Sequence, residues 1–97
     1  MPTQATHKTI LSRNEEILFS PINQDQAVMM SIESQRYYGL DAVGLRIWEL
    51  LDTPRSIDQI VAQILTEFAV DEPTCQAAVL RFAQEMIDHG VARVIPA

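Results

Sequence analysis

Apolar residues change their spacing near the middle of this chain. Up to Leu40 they come in short runs with period two, separated by polar breaks, and from Val43 onward they recur every three or four residues. The first half therefore predicts strands. Glu15-Glu16-Ile17-Leu18-Phe19-Ser20-Pro21-Ile22 has a β-friendly centre at Ile17–Ser20, and Pro21 confines it to a sheet edge or a strand end. Asn23-Gln24-Asp25-Gln26 supplies a polar turn. Ala27–Ile32 follows, with Val28, Met30 and Ile32 on one apolar face and mostly small or polar residues opposite. Glu33-Ser34 breaks the run, and Arg36–Leu40 reads as a third strand in which Tyr38 and Leu40 share a face and Tyr37 points the other way. Short polar connections between three strands imply an antiparallel meander, which must lay one face against helices to be stable.

The second half supplies those helices. Asp41 is a suitable N-cap for a helix carrying Val43, Ile47, Leu50 and Leu51, with Gly44 and Trp48 on an adjoining strip, and Asp52-Thr53-Pro54 ends it. Gly44 costs a helix interior about 1 kcal/mol relative to Ala, so a close approach by another backbone or by neighbours of Trp48 is expected there. Ser56-Ile57-Asp58-Gln59 fits a capping box opening a second helix over Ile57–Glu67. Its stripe is Ile57, Ile60, Val61, Ile64, Leu65 and Phe68. Asp71 starts a third helix with Pro73 in its first turn, running to His89 with Gly90 as the left-handed residue beyond its end. On that helix Cys75, Val79, Phe82 and Met86 point one way. Leu80, Ala83 and Ile87 lie roughly 60–120° away, an apolar sector without an evident partner. Val91–Ile95 reads as a β-type end that adds a short strand or packs down.

Strands followed by helices in 97 residues make one small α+β domain. Residues 1–14 read as a flexible N-terminal tail, with a short extended piece at Thr9–Ser12, and residues 15–97 as the domain. A net charge of -6, with scattered Lys and Arg, argues against a nucleic-acid partner. A single cysteine excludes an internal disulfide. No window approaches the ~20 apolar residues of a membrane span, and the first residues lack a signal peptide's apolar run. The expectation is a cytoplasmic protein with no membrane partner.

Candidate chemistry is sparse. His7 and His89 have no neighbours at metal-ligand spacing, Cys75 lies on an apolar stripe, and the carboxylates are spread over caps, turns and exposed faces without pairing. There is neither a phosphate-cradling glycine loop nor a nucleophile elbow, so the reading is a non-catalytic protein without metal or cofactor. Two successive tyrosines on one strand cannot both face the core, which leaves Tyr37, or Arg36 in a shifted register, available to a ligand.

Tyr37-Tyr38-Gly39-Leu40-Asp41-Ala42-Val43-Gly44, Ile47-Trp48-Glu49-Leu50-Leu51, Ser56-Ile57-Asp58-Gln59-Ile60 and the stretch from Phe82 through Glu85-Met86 to Gly90-Val91 together resemble the PqqD-like family. These are recognition elements for ribosomally made, modified peptides. The likeness covers about residues 15–95 and is greatest to the stand-alone leader-binding proteins of lasso-peptide clusters. Ala78 and Ala83 stand where similar sequences often carry aspartate and leucine. The resemblance implies a winged helix-turn-helix-like fold, a three-stranded antiparallel sheet followed by three helices. It also implies that a precursor's leader peptide adds as a strand beside the third strand, against the third helix. Gln35, Arg36, Tyr37, Tyr38 and Gly39 on the strand side, and Gln76, Val79, Leu80, Ala83 and Ile87 on the helix, are the residues expected to hold it. Implied partners are a leader-cleaving cysteine protease and a macrolactam synthetase. The alternatives are a peptide chaperone for a radical SAM enzyme and a winged-helix DNA-binding protein. The latter is disfavoured because Arg81 stands on the third helix against Glu72, Glu85 and Asp88.

Overall fold

The predicted meander is present in the computed structural model, which describes residues 5–6 and 8–95. β2 (Ile17–Asn23), β3 (Gln26–Ser31) and β4 (Arg36–Leu40) form an antiparallel sheet in the order β2-β3-β4. The Asn23 carboxamide closes the first turn, accepting from the Asp25 amide at 2.8 Å and donating to Gln26 Oε1 at 3.1 Å. In the second turn the Ser31 carbonyl accepts from the Gln35 amide at 2.8 Å, and Gln35 takes a left-handed φ of 57°. Three helices follow: α1 (Ala42–Leu50), α2 (Ile57–Glu67) and α3 (Glu72–Asp88).

The caps are those the sequence dictates. Asp41 accepts from the Gly44 amide, and Ser56 and Gln59 bond reciprocally. Asp71 accepts from the Thr74 amide and hydroxyl, which hold its carboxyl below the usual range. Gly90, at φ 72°, turns the chain out of α3.

Two expectations change. The chain before residue 15 is not all tail, because β1 (Ile10–Arg13) pairs antiparallel with β5 (Arg55–Ser56) on one side and β6 (Ala92–Ile95) on the other. Leu11 is wholly buried at the centre of this second sheet. A four-residue strand leaves almost no periodicity to read, and its pairing partners are distant in sequence. Of the stretch read as frayed, residues 1–4 and His7 lie outside the described residues.

The second change is which face of β3 is buried. Ala27, Met29 and Ser31 are buried, Val28 and Met30 are half-buried, and Ile32 is exposed. The smaller residues turn inward because α1 packs against that face. The more apolar set is left outside, the reverse of what alternation alone suggests.

The core lies between the two sheets and the three helices. Trp48 of α1 ties the sheets together: the Arg13 guanidinium of β1 sits 4.7 Å over its ring and donates to its carbonyl, while Phe19 of β2 stacks on it at 6.1 Å. Arg46 on α1 grips Glu67 at the end of α2 with two bonds, at 2.7 and 3.0 Å. Cys75 is buried, and burial pushes its thiol pKa up.

The Arg46 hydrogen bond, helped by one from Gln63, holds the Glu67 carboxyl below its ordinary value. A lowered folded pKa means the stabilisation is complete above the ordinary carboxylate range and is lost as pH falls through the lowered value. The pair is partly exposed, so Glu67→Gln should cost at most about 1 kcal/mol near neutral pH. Melting curves of the two proteins should then converge on acidification, which thermal denaturation followed by circular dichroism across pH would show.

Candidate functional site

The two outer strands of the meander are not equivalent. β2 carries Pro21, which has no amide to offer, and a register shift between Pro21 and Asn23 that twists the margin. β4 pairs in unbroken register with β3 from Arg36 to Leu40 and contains no proline. Its other side is unpaired among the described residues. At Gly39 a β-carbon would meet nothing within 4 Å, so another backbone has room to approach.

Opposite that open side stands α3. Between them lies a cleft of about 290 Å³ with buried Met29, Leu40, Met86 and Val91 among its lining. Tyr38 and Gly39 line it from the strand, and Phe82, Glu85 and His89 from the helix. The rings of Tyr38 and His89 meet at 5.2 Å at one end. At the other, Phe82 reaches the start of α1: a β-carbon on Gly44 would lie 3.2 Å from Phe82 Cε2, 3.3 Å from Leu40 Cδ2 and 3.2 Å from Asp41 Oδ1. The close approach expected at Gly44 is thus made by side chains, not by backbone.

Of the residues expected to form the site, Tyr37, Tyr38 and Gly39 line the cleft. Arg36 is exposed at the start of β4 and Gln35 in the turn before it, and neither lines the cleft. None of the five α3 residues does. Val79 and Ala83 are buried in the core, and Leu80 and Ile87 are half-buried against it. Gln76 bonds to Glu72 at 3.4 Å. The core-facing line of α3 runs through Cys75, Val79, Ala83 and Met86, not Phe82, which rotates the apolar arc. The flank beside Leu80 and Ile87 is met by the start of the chain, where the Ala5 amide donates to Gln84 Oε1 at 2.7 Å. Phe82, Glu85 and His89, which line the cleft from α3, fall outside the expected set because of this rotation. Their spacing of three and four residues on one flank was the available signal.

The outer face of the meander is apolar. Leu18 lies opposite Met30, which lies opposite Tyr37, and Tyr37 is 72% exposed.

Together these features define an α+β module in which a proline-free, unpaired sheet margin is set across a cleft from the longest helix. The chain belongs to the PqqD family: a family model described as Coenzyme PQQ synthesis protein D (PqqD) matches residues 26–92. A solved structure, "TbiB1 in Complex with the TbiA(beta) Leader Peptide", is similar over 89% of this chain and 99% of that one, with 28% identity and a TM-score of 0.77. No curated protein matches the chain.

Gly44→Ala gains about 1 kcal/mol of helix propensity. Three contacts must give way at once, however, one of them with the capping carboxylate, and overpacking of this kind costs about 1–3 kcal/mol. Net destabilisation is expected in urea unfolding, and a variant as stable as the parent would show that Phe82 relaxes freely.

Proposed function

We propose that this protein binds the leader segment of a ribosomally made precursor peptide as a fourth strand beside β4 and presents it to processing enzymes, itself performing no chemistry. The observation that carries this reading is the unpaired, proline-free β4 margin facing the Tyr38–Phe82–His89 cleft, in a chain that aligns over nearly all of a solved protein complexed with a leader peptide.

The energetics assign roles within the site. A short added strand makes about four to six backbone hydrogen bonds, each worth about 0.5–1.5 kcal/mol net. Ordering a disordered guest takes back about 2–5 kcal/mol. Backbone pairing therefore sets direction and register, while affinity comes from apolar guest side chains entering the cleft against Phe82, Met86 and Tyr38. Glu85 and His89 form its polar rim.

The partners that fit are a leader-cleaving cysteine protease and a macrolactam synthetase, as in lasso-peptide maturation in the cytoplasm. The outer face of Leu18, Met30 and Tyr37 supports docking of the protease, because a strand added to β4 extends that same face with its own outward side chains. The matching family model, named for coenzyme PQQ synthesis, favours a second reading in which the recipient is a radical SAM enzyme. Genes beside this one distinguish the two: a short precursor, a small protease and a synthetase in one case, a radical enzyme in the other. Recognition of DNA is unsupported, since Arg81 is already paired with Glu85 at 3.6 Å on an acidic helix.

Isothermal titration with the leader of the neighbouring precursor tests the site. Phe82→Ala should weaken binding about tenfold or more, and Leu80→Ala, on the opposite flank, should leave it within about twofold. Equal losses would move the site away from the cleft. Leu18→Asp should leave leader affinity unchanged but slow leader cleavage by the protease, and unchanged cleavage would remove the outer face from docking.

A further inference from the structure

We infer that Glu85 makes the cleft selective for a guest whose paired segment turns a lysine or arginine toward α3. This rests on the strand-addition reading above and names the class of peptide that the cleft admits. Among the described residues lining the cleft, Glu85 is the one carboxylate, and no lysine or arginine joins it. β4 offers only uncharged side chains there, and Arg36 lies outside the lining.

The fold gives this carboxylate only a loose cation. Its contact with Arg81 is 3.6 Å long, and the Arg81 and Glu85 side chains are 84% and 59% exposed. Water screens such a pair, which holds neither group firmly. Asp88, by contrast, accepts from Gln84 Nε2 at 2.9 Å. The last turn of α3 has no basic residue. A carboxylate near a helix C-terminus adds to the negative end of the macrodipole, so an incoming cation is attracted by both. The net charge of -6 draws it from further away.

The surroundings of Glu85 favour a long basic side chain over a bare ion. Buried Met29, Leu40 and Met86 line the same cleft, while the carboxylate itself is exposed. A guest lysine or arginine lays its aliphatic stem on that apolar floor and brings its charged head to the rim. The apolar walls limit the water that would screen the pair. Spacing agrees. Glu85 lies three residues after Phe82 on α3, about 4.5 Å along the axis, and same-face residues of a strand recur about every 7 Å. A guest with an apolar side chain against Phe82 therefore presents its neighbouring inward residue near Glu85.

Random linear peptides displayed and selected in parallel on the full chain, on Glu85→Lys and on Asp88→Lys test this, with each winner's site mapped by amide exchange. Winners on the parent should shield the β4 amides and carry lysine or arginine at one position of the shielded segment, about two residues from an apolar one. That position should turn to aspartate or glutamate on Glu85→Lys. It should stay basic on Asp88→Lys, which changes the net charge equally but lies outside the cleft lining. Replacing the basic residue by glutamate should weaken binding to the parent about fivefold or more, and less at about 0.5 M salt. Winners that shield β4 with no preferred charge at a fixed position, or that change alike on both variants, would overturn the role of Glu85 and leave strand addition standing. Winners that leave β4 unshielded would overturn both.

Discussion

The packing of Phe82 over Gly44 and Leu40 sets the distance between α3 and the meander. Phe82 leaves the core-facing line of α3 and wedges into the corner where β4 becomes α1, a corner with space only because residue 44 has no side chain. Met86, one turn further on, stays in the core, while His89 meets Tyr38. The flank of the helix thereby faces the strand across the cleft. A glycine that weakens its own helix thus admits a ring from its neighbour.

The remainder of the fold holds that corner still. Trp48 receives Arg13 from one sheet and Phe19 from the other, and Arg46 and Glu67 clamp α1 to α2. The second sheet joins residues near both ends of the chain, with Leu11 opposite Val94 and Arg55. The Asn14 side chain donates to the Gly90 carbonyl at 2.7 Å, just past the end of α3. What reads as a tail is therefore a brace on the helix that forms one wall of the cleft.

The α+β architecture, the meander, α2 and the three helix N-caps were legible because each has a local physical signature: alternation, a stripe, or an acceptor three residues before an amide. The divergence of the two tyrosines was legible too, since successive residues of a strand must point apart, and Tyr37 is exposed while Tyr38 is half-buried. The flank that α3 turns to the cleft was not. Phe82 and Ala83 are adjacent and both apolar, so periodicity alone cannot decide which centres the core, and a shift of one residue exchanges the flank that faces the cleft. The inward face of β3 failed for a related reason. Ala27 and Ser31 are buried because helix packing demands small residues there, a demand made by other segments and invisible in the strand itself.

The contrast between β2 and β4 reaches past recognition. Proline and a register shift guard β2 against adhering to other chains, whereas β4 carries neither protection. A bare strand margin does not by itself discriminate between a foreign strand and a second copy of the same chain. On the proposed function, a peptide paired along β4 would also cover that margin and so keep the molecule from adhering to its own kind.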